Sequence, residues 1–86
     1  MANIKSAVKR ARLIKVRTLR NRSIRSRVRT AEKKARLALH ESHAEALVRA
    51  AQRELDRAVT KGVLHPRTAA RRKSRLARAL NKAAQQ

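Results

Sequence analysis

Arg67, Arg71, Arg75, Arg78 and Lys82 recur at intervals of three and four residues, a spacing that brings all five cations onto one face of a helix. A ridge of this kind recognises phosphate rather than transforming it. The guanidinium fork meets two phosphate oxygens at once, where an ammonium is a point charge, and here Arg outnumbers Lys by 17 to 8. Arg72, Lys73 and Ser74 thicken the same segment. A second basic series opens the chain, with Lys5, Lys9, Arg10, Arg12, Arg17 and Arg20 interleaved with Ser6 and Asn21. Small polar groups among bases, Ser26 and Ser74 included, suit donation to phosphate or ribose, although Ser6 is equally placed to cap a first helix.

Catalysis has no comparable set. The five carboxylates lie among 25 Lys and Arg and are read as pairing partners. Glu32 with Arg36 and Glu45 with Arg49 stand at i, i+4, where surface pairs contribute about 0.2–0.5 kcal/mol each. No Ser/His/Asp or Cys/His arrangement offers a nucleophile with its base, and there is no cysteine. His40-Glu41-Ser42-His43 lacks the spacing of a zinc-binding H-E-x-x-H helix, since position 44 is Ala, and is read as a loop pair. His65, ahead of Pro66, has two readings: a contact to phosphate or ribose, or a side chain that closes a turn. The chain is therefore expected to be no enzyme and to carry no cofactor or metal.

A net charge of +20 on 86 residues without a single Phe, Tyr or Trp points to a polyanionic partner. The missing aromatics remove the stacking platform of single-strand binders, so folded, helical nucleic acid is the expected ligand. The charge is uneven. Residues 1–31 hold 11 bases and no acid, residues 57–86 hold nine and no acid, and all five acids sit in 32–56 beside five bases. A chain that folds back on itself would let both basic ends share one polyanion while the neutral middle faces solvent. No apolar run exceeds three residues, as in Ala46-Leu47-Val48, which leaves no membrane span and no signal-peptide core in this sequence.

One Gly and one Pro among many Ala, Arg, Leu and Lys predict an all-α, three-helix bundle over 1–86, a single domain with helices near 5–39, 43–60 and 67–82. Gly62 is placed to close the second helix in a left-handed C′ conformation, and Pro66 to start the third. Ser42 with Glu45 forms a capping-box pattern for the second, although no Gly or Pro enforces a break there. The first helix is long and overhanging. Its apolar positions change stripe, from Ile4, Ala7, Ala11, Ile14 and Thr18 to Ile24, Val28, Ala31, Ala35 and Ala38, roughly a third of a turn apart. The second half is expected to join the bundle and the first to project into the partner. Ala44, Leu47, Val48, Ala51, Leu55, Ala58 and Val59 form the core face of helix two, and Ala69, Leu76, Leu80 and Ala83 that of helix three. Because 17 of the 36 hydrophobic residues are Ala, stability should be marginal, with parts of the chain ordering on the partner.

Several segments together carry a family likeness: Ala2-Asn3-Ile4-Lys5-Ser6-Ala7 with Lys9-Arg10, Leu19-Arg20-Asn21, Arg29-Thr30 with Lys33-Lys34, Leu55-Asp56, Lys61-Gly62-Val63-Leu64-His65, and Ala69 to Leu76. They resemble the bacterial small-subunit ribosomal protein S-twenty family along the whole chain. Departures fall at Pro66, Arg67 and Thr68, and residues 37–53 match in character only. The resemblance implies a three-helix bundle that binds 16S ribosomal RNA directly, in its 5′ domain and near the long stem running to the decoding site. It also implies an early place in assembly, a cytoplasmic or organellar ribosome as location, and few protein contacts.

The expected RNA-binding residues are Lys5, Ser6, Lys9, Arg10, Arg12, Arg17, Arg20 and Asn21 on helix one, Lys61 and His65 at the turn, and Arg71, Arg72, Lys73, Ser74, Arg75 and Arg78 on helix three. A-form major grooves are too deep and narrow for side chains to read, so shape, phosphate and 2′-OH would be recognised. No small-molecule substrate and no membrane enter this reading. An architectural nucleoid protein is the alternative, since counterion release acts on any polyanion, but the chain has no evident groove-inserting wedge. A membrane-active basic helix ranks last, for want of a broad apolar face.

Overall fold

A 36-residue stretch without Gly or Pro, dominated by Ala, Arg, Leu and Lys, propagates as helix because each residue added closes a backbone bond at little side-chain cost. The computed structural model describes residues 2–85 and contains three helices, α1 (Ala2–Leu37), α2 (Ala44–Thr60) and α3 (Pro66–Gln85). Helix α1 starts three residues earlier than expected. Ser6 therefore lies inside it and is not its cap.

The turn between α1 and α2 takes residues 38–43. Successive backbone bonds from Ala38 N–H to Ala35 O, Glu41 N–H to Ala38 O and Ala44 N–H to Glu41 O reverse the chain without glycine. Helix α1 thus ends two residues short of the expected 39, with Ala38 buried and Leu39 packed on the core from within the turn. The capping box is not formed. His43, not Ser42, stands at the N-cap with no side-chain bond to the backbone, and Glu45 instead accepts a 2.7 Å bond from Arg49.

The second turn follows the expected design. Val63 N–H bonds Ala58 O at 2.8 Å and Gly62 N–H bonds Val59 O at 2.9 Å, the paired closure of a Schellman motif. Gly62 has φ 74°, the left-handed conformation that an L side chain resists. Pro66 is the first residue of α3, one residue before the expected 67, where its missing N–H would have had no intrahelical partner. Helix α3 also runs on to Gln85, past the expected 82.

Helix α2 packs against both neighbours, whereas α1 and α3 meet along a shorter seam. Val28, Leu55 and Leu76, one from each helix, are the largest fully buried side chains. Six of the eleven buried apolar residues are Ala, so the helices approach closely but remove little area from water. Ile24, Val28, Ala31, Ala35 and Ala38 all join or contact this core, and Ile4, Ala7, Ala11, Ile14 and Thr18 are exposed. The molecule is consequently elongated, 67 × 20 × 12 Å, with the first half of α1 extending beyond the bundle.

Candidate nucleic-acid interface

Two basic surfaces emerge, one on the overhang and one between α1 and α3. Every side chain from Ile4 to Arg20 is exposed, including Lys5, Ser6, Lys9, Arg10, Arg12, Arg17 and Arg20. At 100° per residue, Ser6, Arg10, Arg17 and Asn21 share an angular sector with Ile24, Val28, Ala31 and Ala35. The face that buries apolar groups in the bundle thus carries mainly Arg and small polar groups in the overhang, with Leu13 at its edge. The change coincides with the end of the bundle. Arg20 donates to Lys61 O at 3.4 Å, linking α1 to the turn that closes α2, and Asn21 is half-buried.

Apolar groups in the overhang do not form a partner-helix seam. Ile4, Val8, Leu13, Ile14, Val16 and Leu19 are 48–61% exposed and distributed around the circumference between the bases. Thr18 turns its hydroxyl back to Ile14 O at 2.9 Å. The first turn of α1 has no acid to complement its positive end, whereas Lys34 and Arg36 complement the negative end.

On α3, Arg67, Arg71, Arg75, Arg78 and Lys82 are all exposed, as is Ser74, while Ala69 and Leu76 on the opposite side are buried. Arg71, Arg72 and Arg75 line one wall of an open groove whose other wall is Arg29, Lys33 and Arg36 of α1. These three α1 bases are absent from the sequence-based site. Their signal was present as an i, i+4, i+7 stripe, but only the fold shows that it faces α3.

Two expected binding residues are ion-paired within the protein. Arg72 is half-buried and donates to the Glu32 carboxylate across the α1–α3 seam. Lys73 bonds Asp56 of α2 at 2.9 Å. Glu32 is also not the surface residue its i, i+4 spacing implied. It is only 4% exposed and receives Arg36 at 3.6 Å in addition to Arg72. The Glu45–Arg49 pair is exposed as expected.

Turn closure by His65 is seen directly: its Nδ1 accepts the Arg67 N–H at 3.1 Å, so the imidazole caps the start of α3 while the residue stays exposed. Lys61 stands exposed in the same turn. His43 and Glu41 lie 2.9 Å apart within the first turn. The surface thus offers dense exposed cations beside backbone-bonded turns.

Comparison with known proteins agrees with this arrangement. The family model described as Ribosomal protein S20 matches residues 2–81. "Small ribosomal subunit protein bS20" of Moorella thermoacetica is 57% identical over 83 residues, covering 93% of this chain and 79% of that protein. The proteins of the same name from Carboxydothermus hydrogenoformans and Desulforamulus reducens are 55% and 51% identical, covering 94% and 98% of this chain and 90% and 99% of their own lengths. These relatives are named as proteins of the small ribosomal subunit. With likeness running through the overhang, both turns and α3 alike, the chain belongs to the ribosomal protein S20 family.

Proposed function

We propose that this chain is a structural constituent of the small ribosomal subunit that binds 16S ribosomal RNA directly, in the 5′ domain and beside the adjacent long stem, and steadies its folding during assembly. The observation that carries the reading is that bases crowd both an exposed helical overhang and a separate groove on the bundle. One continuous helix, α1, spans both, so two RNA surfaces would be recognised by shape and phosphate position. Lys5, Lys9, Arg10, Arg12, Arg17 and Arg20 would lie against one RNA surface, with Ser6 and Asn21 available to ribose or phosphate. Arg71, Arg75 and Arg78, with Ser74 between them, would meet the other, close to Lys61. Such a chain works in the cytoplasm as part of the ribosome. Neither the family nor the relatives support the alternative of an architectural DNA-binding protein.

Competition binding tests this directly. The protein is bound at about physiological salt to a folded 5′-domain fragment of 16S ribosomal RNA, with excess duplex DNA or unrelated folded RNA as competitor. Affinity that survives both competitors is expected. Equal loss to duplex DNA would reduce the protein to a generic polycation.

A further inference from the structure

Glu32 is out of place in a phosphate-binding groove. Among the described residues it is the one buried charged side chain, and it stands in a wall otherwise charged by Arg and Lys alone. A carboxylate there repels phosphate and cancels one of the cations assembled to attract it. It is not a solvent-exposed counter-ion either, because its side chain is 5% exposed while Arg72 and Arg36 retain 30% and 62%. Its two partners come from opposite walls, Arg36 from α1 and Arg72 from α3.

A guanidinium has five N–H donors in one plane, so a carboxylate that takes one edge fixes the direction of the remaining edge. Long unpaired arginines sample many rotamers and lose that freedom on binding, whereas arginines already held lose less. Lys33 and Arg36 stand about 5–6 Å from their neighbours along α1, as do Arg71 and Arg75 along α3, giving two charged rows for a chain with one charge per nucleotide.

We infer that the α1–α3 groove seats a single phosphodiester strand of the folded RNA, and that Glu32 is a positioning residue: it touches no phosphate but holds Arg72 and Arg36 so that their free N–H groups converge on one. The inference rests on the RNA-binding reading above and adds a location and an organiser to it. Its signature is a sign reversal, since removing this acid makes the protein more positive and yet a weaker binder.

The test measures affinity for the folded 5′-domain fragment of 16S ribosomal RNA with the full chain, and helicity and melting for every variant. Glu32→Gln and Glu45→Gln each raise the net charge by one, but among the described residues Glu45 pairs only with its own-helix neighbour Arg49. Glu45→Gln is expected to leave affinity equal or raise it up to about twofold, and Glu32→Gln to lower it at least about threefold. Arg72→Lys keeps the charge and a donor for Glu32 but lacks a second edge, and should lose about threefold or more with the bundle intact. The double variant Glu32→Met, Arg72→Met leaves the net charge unchanged and replaces a buried pair by apolar groups, a change that cores commonly tolerate. It should fold and bind about tenfold or more weakly.

Arg71→Ala with Arg75→Ala separates the two levels of the reading, because neither residue is among the ion pairs of the described chain. If that variant binds like the parent, the groove does not hold RNA and the broader reading fails there. If it binds weakly while Glu32→Gln and Arg72→Lys both retain full affinity, the groove stands and the positioning role of Glu32 is overturned.

Discussion

Arg72 of α3 reaches the carboxylate of Glu32 in α1, and this is the one ion pair that joins those two helices among the described residues. Since α1 and α3 share the shortest packing seam of the bundle, a polar link there sets their register with little help from apolar contact. Replacing Glu32 by Ala should therefore cost about 2 kcal/mol of unfolding free energy, below the ~3–5 kcal/mol of a fully buried pair because Arg72 keeps access to water. Urea or thermal unfolding would read it, and a loss under about 0.5 kcal/mol would show that the register is held by packing alone.

The turn at 61–65 depends on two residues for different reasons. Gly62 has open space where a Cβ would be, so Gly62→Ala should cost only the left-handed backbone strain, about 1 kcal/mol, and Gly62→Asn less. His65→Ala removes the cap on Arg67 N–H and should cost about 1 kcal/mol, with His65→Asn restoring most of it. Equal melting of His65→Ala and the parent would overturn the capping role.

Salt dependence reports how many phosphates the interface neutralises. With eight or so engaged, log affinity should fall against log salt with a slope of magnitude roughly 6–7. Removing Arg10 and Arg17 together, on the sector that continues the core face, should lower that magnitude by about 2 without changing the bundle's melting. A parent slope near 2 would refute an extended interface.

Residues 4–19 have helical backbone bonds but no buried side chain, so their opening is opposed by little tertiary energy. Brief trypsin treatment should cut first among Lys5 to Arg20 and leave a longer-lived fragment of the bundle. Bound RNA should protect those sites. First cuts within α2 or α3 would contradict this order of stability.

Helix content, the Gly62 stop, the Pro66 start and the core faces of α2 and α3 were legible in the residues themselves, because 3.6-residue periodicity and special backbone geometry are local properties. The split of α1 into a projecting and a packed half was legible for the same reason, through its change of apolar stripe. Local pattern misled where one side chain had two possible partners: Ser42 and Glu45 carried a capping signal, but Glu45 bonds Arg49 instead. The basic groove was decided by the tertiary structure alone. Arg29, Lys33 and Arg36 look like any solvated stripe until α3 lies beside them, and Glu32 looks like an ordinary i, i+4 partner of Arg36 until Arg72 arrives from 40 residues away. Charge and periodicity are written residue by residue, whereas burial and the choice among competing ion partners exist only once distant segments meet.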